Sequence, residues 1–202
     1  MKTVALVPVK DLRQAKGRLG HILSATERAS LAHNMLAHVL QTIAGSGVVD
    51  HTVVISPDVE ELDLPMGVIP LLQTRPGLND ALEEAREWAV AHGAEAVLVV
   101  FADLPLLSAQ DVASMVKLGA RPGTIVVAPD RHWHGTNALL SHPPALARFA
   151  FGPDSYSRHV ALALEAGAYL HVYSSDGTAL DVDTPDDLSF FESSYHGSGG
   201  SS

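Results

Sequence analysis

The chain has 202 residues, 47% of them hydrophobic, a formal net charge of −10 at pH 7 and no cysteine. That length suits one domain with a sizeable core, and the acidity argues against general nucleic-acid binding, which needs a basic footprint. Disulfides, thiolate zinc sites and a cysteine nucleophile are excluded, and no apolar run reaches the length of a membrane span.

Thr3 to Val9 reads as a buried strand, apolar, β-branched and bounded by Pro8. The segment after Met1 is too strand-like for a secretory signal and no small-residue cleavage site follows it; with the missing cysteines this suits the cytoplasm. A basic loop comes next, with Lys10, Arg13, Lys16 and Arg18 close together although the whole chain holds only 13 Lys and Arg. Such a loop on an acidic protein suits an anionic ligand, a plain solvated loop being the alternative. Lys16 as a point charge and Arg18 as a planar fork would neutralise a triphosphate.

Ser24-Ala25-Thr26-Glu27 is a capping box. Leu31, Met35, Leu36, Val39, Leu40 and Ile43 keep a helical stripe behind it, and Gly45 is a stop. His51 to Ser56 reads as a second strand. In Arg75-Pro76-Gly77-Leu78-Asn79, Gly77 permits close backbone approach, and Asn79 caps a helix through Trp88 whose first N–H groups suit an anion. A plain turn into a helix is the simpler reading of that loop. Ala96 to Phe101 is a strong strand running into Ala102-Asp103-Leu104-Pro105. Ser108 opens another helix, and Thr124 to Ala128 is a strand.

The polar segment from Pro129 to Asn137 carries His132 and His134, which without a third ligand are weak evidence for a metal. Thr136 and Asn137 offer a hydroxyl and an amide to an acid or a phosphate. Phe151-Gly152-Pro153-Asp154-Ser155 is a second polar turn, leading to a helix over Ser157 to Ala166 with His159 on its polar face; Ser155 is an N-cap candidate. Tyr169 to Tyr173 is a strand, and Ala179-Leu180 is read as the end of another that leads into Asp181-Val182-Asp183. Thr184-Pro185-Asp186-Asp187 starts a last helix. The domain is placed at 1–193, with 194–202 a flexible, low-complexity tail.

Alternating strands and helices predict a single-domain three-layer α/β/α sandwich with a mostly parallel sheet. Ligands of such sheets lie beyond the carboxyl ends of the strands, where Asp103, Asp181 and Asp183 fall. Residues two apart on a strand share a face, so Asp181 and Asp183 project together with Val182 packed behind. A carboxylate cluster there suits Mg²⁺, usually held by one or two carboxylates plus substrate phosphates; for Asp103 alone, a turn residue is the plain reading. Neither G-x-G-x-x-G nor G-x-x-x-x-G-K-[ST] is present, which disfavours dinucleotide dehydrogenases and P-loop enzymes.

From Thr3 to Phe191 the chain resembles the CofC/FbiD guanylyltransferases of the MobA-like nucleotidyltransferase superfamily. The carriers are Val7-Pro8-Val9-Lys10 with Ala15-Lys16-Gly17-Arg18-Leu19, Ser24 to Arg28, Gly77-Leu78-Asn79, Ala102-Asp103-Leu104-Pro105-Leu106, Gly135-Thr136-Asn137, Phe151-Gly152-Pro153 with Ser155, and Leu180 to Leu188. The resemblance implies transfer of GMP from GTP to a phosphorylated three-carbon acid in coenzyme F-420 biosynthesis. The acid is phosphoenolpyruvate or 2-phospholactate, with 3-phosphoglycerate a further candidate. It implies Mg²⁺ on Asp103, Asp181 and Asp183, with Lys16 catalytic beside them. Pro8, Lys10, Lys16, Arg18, Gly77 and Asn79 fall to the nucleotide, and Thr136, Gly152 and Ser155 to the acid. The expected partners are GTP and that acid, with no nucleic acid and no membrane; a homodimer and hand-over of product to a downstream transferase are left open. His132-Trp133-His134 replaces the family's glycine-rich approach to Gly135, and Tyr156 stands where Phe is usual. The alternatives are a molybdopterin guanylyltransferase, a cytidylyltransferase or a GTP-binding module without turnover.

Overall fold

The computed structural model describes residues 1–10, 16–146 and 148–197. Its centre is a seven-stranded sheet formed by β1 (Thr3–Pro8), β2 (His51–Ser56), β3 (Val68–Leu72), β4 (Ala96–Val100), β5 (Thr124–Pro129), β6 (Thr136–His142) and β7 (Tyr169–Val172), in the order β3-β2-β1-β4-β6-β5-β7. All neighbouring pairs are parallel except β4–β6 and β5–β6. Among the described residues six α-helices accompany the sheet: α1 (Ala25–Gly45), α2 (Leu78–Ala91), α3 (Ala109–Leu118), α4 (Ser155–Glu165), the single turn α5 (Asp176–Ala179) and α6 (Pro185–Gly197).

Period-two alternation divides the strands between two cores. Ala5 and Val7 of β1 with Leu98 and Val100 of β4 pack against Leu36, Val39, Leu40 and Ile43 of α1 and Val112 and Met115 of α3. Val4, Leu6, Val97 and Val99 face the other way, onto Ala81, Leu82, Ala85 and Ala89 of α2 and Ala163 of α4. These are the three expected layers. A smaller apolar cluster of Leu19, Met35, Leu180, Val182 and Leu188 lies beside them, joining the basic loop's 3-10 turn (Gly17–Leu19) to α1 and α6.

Several local expectations need correction. β3 escaped the sequence reading because Pro70 interrupts it; proline is tolerated there since β3 is an edge strand. The segment before Asp181 is no strand: Ser175 and Thr178 form a capping box that opens α5, and only its C-cap Leu180 lies between that turn and the acids. α2 begins two residues earlier than a cap at Asn79 implies, with Gly77 at the N-cap at φ 93° and Asn79 inside the first turn. α6 continues to Gly197, past the boundary placed at 193. Among the described residues no helix is long and apolar enough to cross a membrane.

The largest surprise is β6. The sequence reads Thr136 and Asn137 as loop residues, yet they open a strand and are 2% and 4% exposed. Because β6 runs antiparallel to β4, its first residues lie at β4's carboxyl end: Ala138 pairs with Val100, and the Phe101 amide donates to the Asn137 carbonyl at 3.1 Å. One reversed strand thus brings the Gly-Thr-Asn segment to the edge of the sheet where Asp103 emerges.

Candidate active site

The basic loop and the acids meet on Lys16. Its Nζ lies 2.7 Å from Asp103 Oδ2 and 2.8 Å from Asp183 Oδ1, and its side chain is only 7% exposed. Lys16 holds φ 57°, a left-handed conformation uncommon for a side-chain-bearing residue, at the start of the 3-10 turn. Burial by itself would lower the Lys16 pKa, but the charges and hydrogen bonds of Asp103 and Asp183 outweigh it, and the ammonium is held above its ordinary value. Of the other basic candidates, Lys10 and Arg18 are exposed, and Arg13 lies outside the described residues. Pro8 is the half-buried last residue of β1.

Asp181 sits in the same crevice under different constraints. The Val182 amide donates to the Asp103 carbonyl at 3.3 Å, and the Val182 side chain is fully buried, so the acids flank a packed valine as their spacing predicts. Burial, and then the negative charges of Asp103 and Asp183, push the Asp181 carboxyl up to about 6, against a hydrogen bond from Asn137 that favours its ionised form. That bond runs from Asn137 Nδ2 to Asp181 Oδ1 at 3.2 Å, and the same nitrogen reaches the Thr178 carbonyl at 3.0 Å. The Asn137 amide is therefore engaged in holding α5 and Asp181, not presented to an acid as expected from sequence.

Asp103 and Asp183 share one ammonium and Asp181 adds a third carboxyl beside them, leaving negative charge uncompensated, and Asp103 Oδ1 is buried without a hydrogen-bond partner. An unpaired buried carboxylate oxygen is costly, and an all-oxygen donor set is what Mg²⁺ prefers. The residues therefore fit the ion. Among the described residues, though, no group of three or more acids or histidines is gathered to hold a metal by itself. The fit is to an ion held by one or two carboxylates and completed by phosphate oxygens.

A second network assembles the acceptor candidates. Asn79 Oδ1 accepts from the Phe151 amide at 2.8 Å, and its Nδ2 donates to the Phe151 carbonyl at 3.1 Å. This side chain therefore copies a strand's backbone pairing and ties the turn containing Gly152 to the first turn of α2. Gly77, just before it, is exposed and has no neighbour within 4 Å of a would-be Cβ. Gly152 has φ 118°, a conformation side-chain-bearing residues rarely adopt, and Ser155 is 2% exposed in the first turn of α4. The N-cap of α4 is Asp154, without a side-chain cap bond.

His159, expected on a polar face, is 2% exposed and lies between Thr136 and Ala150. The signal was there to read: Ser155, His159 and Ala163 recur every four residues and form the buried face of α4. The bulky loop before Gly135 is built around Asp130, whose carboxylate accepts from the amides of His132, His134 and Gly135. A Cβ on Gly135 would stand 2.8 Å from Asp130 Oδ2, which is why glycine sits there. Trp133, half exposed, packs edge-on against Tyr156 at 5.3 Å, so the two departures from the family pattern touch each other.

Comparisons with known proteins agree with this architecture. The family described as guanylyl transferase CofC like matches residues 3–202. The phosphoenolpyruvate guanylyltransferase of Rubrobacter xylanophilus is 42% identical over 197 residues, covering 96% of this chain and 95% of that protein. The enzyme of the same name from Sphaerobacter thermophilus is 42% identical over 190 residues, covering 93% and 91%. In fold, a crystal structure from Desulfovibrio desulfuricans G20, of a protein assigned to the nucleotide-diphospho-sugar transferases, superimposes with a TM-score of 0.80 at 19% identity, covering 100% of this chain and 90% of that one. With residues 3–202 matched by the family and relatives of 42% identity over nearly their whole length, the chain belongs to the CofC-like guanylyl transferases.

Proposed function

We propose that this protein transfers GMP from GTP to the phosphate of phosphoenolpyruvate, releasing pyrophosphate, in the cytoplasmic biosynthesis of coenzyme F-420. What carries the reading is end-to-end similarity to relatives bearing that name, in a chain whose Lys16 is clamped by Asp103 and Asp183. An acceptor phosphate oxygen attacks the α-phosphorus in line; the bond to the β-phosphate oxygen breaks, and pyrophosphate departs with the electron pair. The attacking oxygen is already anionic, so no general base is needed, and positioning and charge neutralisation carry the catalysis.

Lys16 keeps its proton throughout the working pH range and supplies positive charge at the triphosphate. The exposed Lys10 and Arg18 add to that field, and the N-terminus of α2 behind Gly77 offers unpaired N–H groups. Asp103 with Asp181 or Asp183 would hold Mg²⁺, which when bound offsets the charge of the phosphates. Asn137 orients Asp181. Thr136 and Ser155 give hydroxyls to the acid, and Gly152 lets the backbone approach it.

Pyrophosphate release from GTP and Mg²⁺, measured with phosphoenolpyruvate, 2-phospholactate and 3-phosphoglycerate in parallel, tests the reading. Phosphoenolpyruvate should give the highest kcat/KM, and Asp103→Asn should reduce it about 100-fold or more, the scale of losing a key electrostatic contact. Turnover confined to another acid would overturn the acceptor. GTP binding without turnover on any acid would make the chain a nucleotide-binding module.

A further inference from the structure

The hydrogen bonds around His159 fix where its proton sits. The Ala150 amide N–H points at His159 Nε2, 3.0 Å away, so Nε2 must be an acceptor. In a neutral imidazole the proton is then on Nδ1, which lies 2.9 Å from Thr136 Oγ1. Nδ1–H donates, the threonine oxygen accepts, and the threonine's own hydrogen is left to donate elsewhere. No other hydrogen bond to the Thr136 hydroxyl is formed by the described side chains. The reverse arrangement, with Thr136 donating to Nδ1, would place the imidazole proton on Nε2 against the Ala150 N–H.

We propose that His159 is a positioning residue that keeps the hydrogen of the Thr136 hydroxyl free to donate, so that the acceptor site favours an anionic oxygen at that point. The inference rests on the assignment of Thr136 to the acceptor. The ring is locked in place: it is 2% exposed, and Phe151 packs edge-on against it at 4.6 Å. Burial first, and the neighbouring Arg158 charge second, lower its pKa to about 4, so the ring is neutral where the enzyme works. The chain from the Ala150 N–H through the imidazole to the hydroxyl aligns successive dipoles, each strengthening the next. A carboxylate or phosphate oxygen completes it.

Two measurements test this. In the ligand-free protein, long-range ¹H–¹⁵N correlation at pH 7.5 should show His159 as the Nδ1–H tautomer. The Nε2–H form or an imidazolium would overturn the proposal without reference to activity. The second is a kinetic cycle among Thr136→Val, His159→Phe, His159→Asn and the double variant Thr136→Val/His159→Phe. Thr136→Val should raise KM for the acid about tenfold or more, the scale of one hydrogen bond to a charged group. His159→Phe should raise it about fivefold with KM for GTP unchanged, and should add almost nothing on the Thr136→Val background. His159→Asn, which can place a donor near the position of Nδ1, should restore most of the loss even though it leaves the Ala150 amide unpaired and the protein less stable. If Thr136→Val leaves the acid's KM unmoved, the acceptor assignment fails and this proposal with it. If Thr136→Val behaves as stated but His159→Phe is fully additive, or His159→Asn tracks stability and not KM, the proposal alone is refuted.

Discussion

Asp181→Asn should stabilise the metal-free protein while abolishing most of its activity. The Asp181 carboxyl has a pKa of about 6 in the folded chain, against ~3.9 when unfolded. A carboxyl whose pKa is raised by folding favours the folded state most below the unfolded value, and that contribution is lost as pH rises through 6. Above pH 6 the ionised group therefore costs at most about 3 kcal/mol, taking ~1.4 kcal/mol per pK unit. Asp183, one of the two repelling carboxylates, has a side chain that is 47% exposed; allowing for solvent screening leaves about 1–3 kcal/mol. Asparagine removes the charge and keeps an oxygen for the Asn137 amide. At pH 7.5 in EDTA the variant should melt higher, by about 2–4 °C for each kcal/mol in a domain of this size, and the gain should vanish near pH 4. His159 acts in the opposite sense, its stabilisation present above ~6.5 and lost as pH falls toward about 4, but both proteins share it and the difference isolates Asp181. Thermal melts of the pair from pH 4 to 8, with pyrophosphate release at pH 7.5, decide the matter. A variant that is less stable at pH 7.5, or a gain that persists at pH 4, would refute the electrostatic account of this crevice.

Lys16→Met leaves Asp103 and Asp183 without their shared ammonium; it should weaken GTP binding more than GMP binding by calorimetry, and the loss should shrink in high salt. Asn79→Ala frees both backbone groups of Phe151 and should raise KM for the acid about tenfold, with a smaller change for GTP, because the turn carrying Gly152 loses its tie to α2. Gly135→Ala forces a Cβ against the Asp130 carboxylate and should cost about 1–3 kcal/mol in chemical denaturation as the three amides it gathers lose their acceptor. A neutral result there would mean that the loop does not depend on Asp130.

By itself the sequence determined the layered α/β architecture, the capped helices at Ser24 and Ser108, the central strands, and Asp103, Asp181 and Asp183 as a group. Each of these rests on local periodicity, on side chains bonding their own backbone, or on motif order, all of which adjacent residues carry. Tertiary structure alone decided which partner each polar group takes. Lys16 meets acids that lie 87 and 167 positions away along the chain, and nothing local distinguishes it from the exposed Arg18. Asn79 looked like a helix cap or a nucleotide ligand, but its amide fits the backbone of Phe151. Asn137 looked like a loop ligand until an antiparallel β6 turned it toward Asp181. His159 had the spacing of a buried face, but its proton position depends on an amide at Ala150 and a hydroxyl at Thr136, on two other elements. Strand order and direction made these pairings, because hydrogen bonds between distant segments form only where packing of the two apolar layers has already brought the segments together.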